Sequence, residues 1–270
     1  MKKFLLFSFL SLLVVVTLTS CEFEKEDEEH PYLEFIDMGN EYHVVDCDES
    51  VITVDIPSHY KGKPVTVISA CAFSNCTALA SVKIPNTITH IGQLAFYNCV
   101  SLRGINIPNS VIFIDRSAFS ECTWLETIQM PANIDKISDS TFHNCRSLRT
   151  IHIPDNVTII EEGAFFHCSS LEYVSLPANL KEIEGLAFSG CEKLNSIYLE
   201  KTKIEKIGSM AFYKCTSLIT VIIPKSVTVV GYSAFSTCPD LYIFCEAPSK
   251  PNGWDYDWYF NVRKVVWGKT

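Results

Sequence analysis

Cysteine is the residue in this sequence with the widest chemical reach, and there are twelve of them in 270 residues. A thiol can ligate zinc, attack as a thiolate, or close a disulfide. His143 stands close to Cys145, and His167 is next to Cys168. Zinc binding and a Cys–His nucleophile are therefore the first chemistries to weigh. The paired ligand spacings of zinc modules are absent. A thiol in apolar surroundings holds its proton and makes a poor nucleophile. The chain also lacks a Gly-x-Ser-x-Gly elbow, a phosphate loop and a Ca²⁺ loop. Asp255 and Asp257 lie among aromatic residues and are expected to face solvent. These motifs imply no catalytic group, no metal site and no cofactor.

The spacing of the cysteines points elsewhere. Cys76, Cys99, Cys122, Cys145, Cys168, Cys191, Cys215 and Cys238 recur at steps of 23 residues, once 24. Each follows a phenylalanine by three positions, from Phe73 to Phe235, and precedes a leucine by three, from Leu79 to Leu241. A period this regular marks stacked structural repeats. One cysteine per repeat then forms an interior ladder of small apolar side chains. Stacked side chains point the same way, which suits disulfide geometry poorly, so the ladder is expected to hold free thiols. Cys47, Cys71 and Cys245 fall off the ladder. Cys47 and Cys71 lie near the same end and are the one pair suggested for a disulfide.

The elements that carry this ladder follow from local pattern. Leu102 to Ile107 alternates as a strand does, with Leu102, Ile105 and Ile107 inward, and Pro108 ends it without needing a donor. Thr87-Ile88-Thr89-His90-Ile91 is expected to run back along a second face. The Ala-Phe segment predicts one helical or 3₁₀ turn, with Phe filling the wide part of the coil. A single repeat cannot bury its apolar side, so each buries its neighbour's. Eight coils stacked about 4.8 Å apart make a rod on the order of 40 Å long. The sixth repeat departs: Glu200 replaces the usual proline and one extra residue precedes Ile204, predicting a bulge or wider turn. Trp254, Trp258, Tyr259 and Phe260 are expected to cover the last coil.

The units Ile91-Gly92, Ala95-Phe96, Cys99 and Leu102-Arg103-Gly104-Ile105-Asn106-Ile107-Pro108 resemble the BspA-like, or treponemal-class, leucine-rich-repeat family. The resemblance spans roughly residues 51 to 248. It implies a right-handed solenoid, mainly β, with eight repeats of about 23 residues. It also implies a surface or secreted protein, and some members of the family are linked to adhesion to host matrix.

Lys2 and Lys3, the apolar run from Phe4 to Leu18, and Leu18-Thr19-Ser20-Cys21 read as a lipoprotein signal ending at a lipidated Cys21. The acidic stretch from Glu22 to Glu29 cannot bury apolar surface and reads as a solvated tether. It resembles an acidic export signal that sends some lipoproteins to the cell face. The expected organisation is a signal at 1–20, a tether at 21–31, a cap and half repeat at 32–64, the solenoid at 65–248 and a second cap at 249–270. The expected location is the outer membrane with the repeats outside the cell, or facing the periplasm as the alternative. Net charge is −9, with no basic cluster beyond Lys2 and Lys3, which argues against nucleic acid.

The informative side chains are those the repeat does not dictate. Residues five and seven places after each ladder cysteine are expected to face outward along the strands. One column reads Lys83, Asn106, Gln129, His152, Ser175, Tyr198, Ile222, Cys245; the other Ser81, Gly104, Thr127, Thr150, Tyr173, Ser196, Thr220, Ile243. His152, Tyr173, Tyr198 and Gln129, with Trp124 in the preceding turn, form the candidate partner-binding surface. The expected function is non-catalytic binding of a protein or glycan, with host extracellular matrix one possibility. The alternative is a structural subunit of an envelope assembly, which an apolar patch near Ile222 and Ile243 would favour.

Overall fold

The computed structural model describes residues 30–269. The segment expected to be a lipoprotein signal, Cys21 and the acidic run to Glu29 lie outside the described residues. From Tyr32 onward the chain winds as a parallel β-solenoid of about ten turns, each of about 23 residues. Each turn has three sides. One carries three-residue strands such as Thr150–His152, a second carries two-residue strands such as Ile159–Ile160, and the Ala-Phe segment forms the third. Equivalent strands pair in parallel and in register, as Thr150 with Tyr173 and His152 with Ser175.

The interior is one continuous cluster. Phe73, Phe96, Phe119, Phe142, Phe165, Phe188, Phe212 and Phe235 are fully buried. Their rings stack nearly parallel, with centroids 4.9 Å apart at the first step and 5.7 Å at the Phe119–Phe142 step. Leu102, Ile105 and Ile107 point inward as the alternation predicts.

The Ala-Phe side differs from the expected helical turn. Its backbone is a chain of linked tight turns with two left-handed residues per repeat, two before and two after the phenylalanine. In the fifth repeat these are Gly163 and His167, at φ 60° and 57°. Alternate amides stay inside the coil: Phe166 N–H donates to Gly163 O and Cys168 N–H to Phe165 O. The others reach the next coil: Gly163, Phe165 and His167 donate to the carbonyls of Gly185, Ala187 and Ser189 at 2.8–2.9 Å. A helix would aim all its amides along its own axis. The left-handed residues turn half of them outward and so lace coil to coil.

The sixth repeat absorbs its extra residue in a 3₁₀ turn, Leu199–Lys201, the only helical element among the described residues. At the amino end, strand Leu33–Asp37 pairs antiparallel with Tyr42–Cys47 and closes the sheet there. Phe35, Tyr42 and Tyr60 pack together beneath it.

At the carboxyl end, Trp258 covers the phenylalanine column, its carbonyl standing where the alanine carbonyl stands in the repeats. Phe235 N–H donates to Trp258 O, and the two rings meet edge to face at 6.0 Å. Trp254 and Trp258 are buried, and Trp267 packs against both. The cover expected from Tyr259 and Phe260 is corrected: Phe260 is 74% exposed and Tyr259 40%. The indoles already close the coil, leaving those two rings outside.

The stack is uneven: on the three-residue side Ser81–Lys83 and Gly104–Asn106 do not pair, and one junction lacks pairing on both strand sides. Between the third and fourth coils neither strand side is paired: Phe113–Ile114 does not bond to Lys136–Ile137, nor Thr127–Gln129 to Thr150–His152. The Ser138 hydroxyl donates to Ile114 O instead. Ile128 is only half-buried, whereas its counterparts Ile105 and Ile151 are buried. The Ala-Phe side stays laced there, with Phe119 N–H on Thr141 O at 3.0 Å. Away from the strands, Ser147 N–H on Thr123 O and the Asn133 amide on Asn109 O also cross this junction, so it lacks strand pairing on two sides but stays bonded.

If the phenylalanine column organises the core, Phe165→Ala should lower unfolding free energy by about 3–5 kcal/mol, the range for deleting a buried aromatic ring. Urea unfolding followed by tryptophan fluorescence measures this. A loss below about 1 kcal/mol, typical of an ordinary substitution, would show that the column is not the core's organiser.

Candidate binding face

The three-residue strands hold alternate side chains on opposite sides. Ile151 and Val174 point into the core, while Thr150 and His152, and Tyr173, point out. Gln129, His152, Tyr173 and Tyr198 are all exposed on this side, the two tyrosines by 42% and 41%. The registers set their mutual places. His152 faces Ser175 one coil on, so His152 and Tyr198 stand two coils apart with Ser175 between them. Tyr173 lies in the neighbouring column, flanked by Thr150 and Ser196. Gln129 sits across the unpaired junction from His152.

Trp124 lies in the turn leading to strand Thr127–Gln129 and is 53% exposed. The Arg103 guanidinium covers its ring at 5.1 Å and forms an ion pair with Glu126 at 2.8 Å. Lys201 Nζ stands 4.3 Å from the centre of the Tyr198 ring. Both rings thus have one face covered by a cation while the side chain stays about half exposed.

The last repeat corrects the outward columns. Thr220 pairs with Tyr242, and Ile222 with Phe244. One residue fewer separates Leu241 from its strand than separates Leu218 from Thr220, so the alternation slips by one. Ile243 and Cys245 point inward and are fully buried, and Tyr242 and Phe244 take the outward places. A one-residue slip in a strand exchanges its faces. The apolar row on this side is therefore Ile222, Phe244 and Val266, all half-buried.

The cysteines show why the repeat demands them. From Cys99 to Cys238 each ladder thiol donates to the carbonyl of the phenylalanine one coil earlier, as Cys168 to Phe142 O at 3.1 Å and Cys191 to Phe165 O at 3.2 Å. The same carbonyl accepts the amide of its own repeat's cysteine, as Cys168 N–H on Phe165 O. A small apolar side chain with a weak donor meets both needs of that site. Burial pushes the thiols up: Cys238 and Cys245 to about 12, with Cys145, Cys191 and Cys215 held well above the usual range. Such thiols stay protonated and unreactive.

The suggested Cys47–Cys71 disulfide is corrected. All eleven described cysteines are free. Cys47 is buried, and its carbonyl receives the Cys76 thiol at 3.9 Å, so it belongs to the foot of the ladder. Cys71 is exposed and sits in a left-handed turn at φ 61°. His143 packs on Phe166 at 5.0 Å, and Phe166 on His167 at 4.2 Å, while the neighbouring cysteines face the core. Among the described residues no three His, Cys, Asp or Glu side chains converge as a metal site. No described helix is long and apolar enough to cross a membrane.

Comparison with known proteins places this architecture. The BspA type leucine rich repeat region matches in six copies over residues 46–169 and 135–251. A leucine-rich repeat protein from Bacteroides ovatus is 31% identical, with a TM-score of 0.67, over 88% of this chain and 70% of that one. The leucine rich repeat protein of T. pallidum is 28% identical, with a TM-score of 0.64, over 72% and 91%. A leucine rich cell surface protein from Faecalibacterium prausnitzii shares the fold at 24% identity and a TM-score of 0.59, over 87% and 86%. No curated protein matches the sequence. The chain is a leucine-rich-repeat protein and belongs to the BspA type leucine rich repeat family.

The ladder geometry makes a labelling pattern testable. In the native protein a maleimide should modify Cys71 and leave the ladder untouched. After unfolding without reductant, all the cysteines from Cys47 to Cys245 should react. Peptide mapping by mass spectrometry reads both states. Ladder cysteines that stay unlabelled in the unfolded chain would reveal disulfides and refute the free-thiol ladder.

Proposed function

We propose that this protein is a non-catalytic surface lipoprotein that binds a protein or glycan partner through the outward side of its three-residue strands. The observation that carries the reading is the set of exposed groups on that side: Trp124, Tyr173 and Tyr198, with Gln129 and His152. Rigid aromatic rings with a polar tip give large contact area at small entropic cost, and they dominate binding surfaces. The strands beneath them are fixed by the buried core, so the contact surface is preformed. The lipobox at Cys21 and the acidic tether support anchoring at the outer membrane with the repeats facing outward. The surface location of the F. prausnitzii relative agrees with that placement. Host extracellular matrix is one partner class consistent with such display.

A second reading, a subunit of an envelope assembly, draws on the carboxyl end. Tyr256 is 87% exposed and Phe260 74%, and on the strand side the last coils carry the half-buried row of Ile222, Phe244 and Val266. Exposed apolar groups of that kind suit a permanent protein contact.

Replacing His152, Tyr173 and Tyr198 together by alanine should weaken binding to immobilised host matrix and to cultured host cells by at least about tenfold, as loss of central aromatic contacts does. The thermal melt should stay within a few degrees of the parent, because these groups bury little. Unchanged affinity with an unchanged melt would reject this surface and leave the carboxyl end as the contact.

A further inference from the structure

The two outward columns of the strand side share one property over most of their length. From Gly104 to Ile222 they contain no Asp, Glu, Lys or Arg. Their polar members are amides, hydroxyls and one imidazole: Asn106, Gln129, Thr127, Thr150 and His152 among them. The adjoining column is charged but self-compensating, running Arg103, Glu126, Arg149, Glu172. The neutral strip is therefore not a by-product of a chain poor in charge, since charged residues make up 20% of it.

These neutral groups are also uncommitted. On other sides, asparagine side chains tie coil to coil: Asn98 bonds Asn75, Asn133 bonds Asn109 O, Asn144 bonds Glu121, and Asn156 bonds Ala132 O. Within the described residues, the side chains of Asn106, Gln129, Thr150, His152 and Tyr173 make no hydrogen bond to the protein. Donors and acceptors thus stand free in register along the strip, with the Tyr173, Tyr198 and Trp124 rings set among them. Beside His152 the surface dips into an open hollow of about 340 Å³, bordered by Met130, Asn133, His152, Pro154 and Asn156, with Asp155 the one charged residue at its edge.

We propose that the strip binds an uncharged glycan chain laid across successive coils. A sugar ring presents hydroxyls that both donate and accept, and a face of C–H groups. Amides and hydroxyls match the first, and exposed aromatic rings match the second. The two columns themselves offer a charged polymer no counter-charge, and the charges that border them alternate in sign from Arg103 and Glu126 to Arg149 and Glu172, so neither a polyanion nor a polycation finds a continuous complement. A linear glycan repeats at a spacing close to that of the coils, so one contact pattern can recur along the stack. This inference rests on the reading of the strand side as the binding surface and names the ligand class.

The test uses the soluble protein from residue 22 onward, the lipid acceptor removed. Its probes are neutral oligosaccharides of β-glucan, xylan and mannan, with heparin oligosaccharides as a charged comparison and immobilised fibrinogen as a protein comparison. The expected result is binding to at least one neutral glycan. Gln129→Ala with Tyr173→Ala should weaken it by about tenfold or more, a loss of about 1.4 kcal/mol by the affinity relation. Lys136→Ala on the two-residue strands should leave it unchanged. Binding confined to fibrinogen but lost in the same double variant would overturn the glycan assignment and leave the strand side as a protein-binding surface. Binding to heparin alone, binding that the double variant does not alter, or no binding to any neutral glycan would each overturn the proposal. The unaltered-binding result alone would also remove the strand side as the surface.

Discussion

Everything in this structure depends on the lacing of one coil to the next along the Ala-Phe side. There the backbone leaves the helical path, and left-handed residues such as Gly163 and His167 release three amides per turn to the neighbouring coil. The phenylalanine carbonyl between them takes an amide from its own repeat and a thiol from the next. Left-handed geometry is costly for residues other than glycine, and most repeats accept it twice, as at Leu94 and Asn98. The gain is that every repeat meets the next with the same hydrogen bonds and the same stacked ring. Stability then accumulates coil by coil.

That lacing frees the other two sides. Strands of two or three residues need carry no more than their share of pairing, and between the third and fourth coils they carry none. The stack survives the break because the Ala-Phe side is continuous through it. Outward positions on the strands are then open to any residue that stays soluble. The sequence uses them for neutral polar and aromatic groups, while asparagines elsewhere are spent on joining coils. A preformed surface with uncommitted polar groups is the structural basis of the binding function proposed here.

Much of this was legible from spacing alone. The period located the buried Phe, Cys and Leu columns and the outward side chains of Gln129, His152, Tyr173 and Tyr198, because a repeat transfers one residue's environment to all its equivalents. The slip before Tyr242 escaped, since counting from Cys238 assumes a constant step, whereas the strand register is set by which residues bury. Trp258 follows Phe235 by the same 23 residues, yet its carbonyl takes the Phe235 amide as an alanine carbonyl does in the repeats, a one-residue shift that the spacing does not show. The left-handed turns gave little signal, for their residues range from Gly163 to Leu186 and Thr237. The imposed tertiary bonds, not local propensity, hold them there. The unpaired strands between the third and fourth coils left no mark in the period, as they reflect pairing rather than length.

Amide hydrogen exchange resolved to single residues tests the central claim most directly. The account predicts that the Ala-Phe amides, Phe96, Phe119, Phe142 and Phe165 alike, exchange slowest and without interruption through the middle of the stack. Amides of Lys136–Ile137 and Thr150–His152 that face the third coil should exchange faster than their counterparts elsewhere. Equal protection on all three sides at that junction, or rapid exchange of the phenylalanine amides, would contradict it.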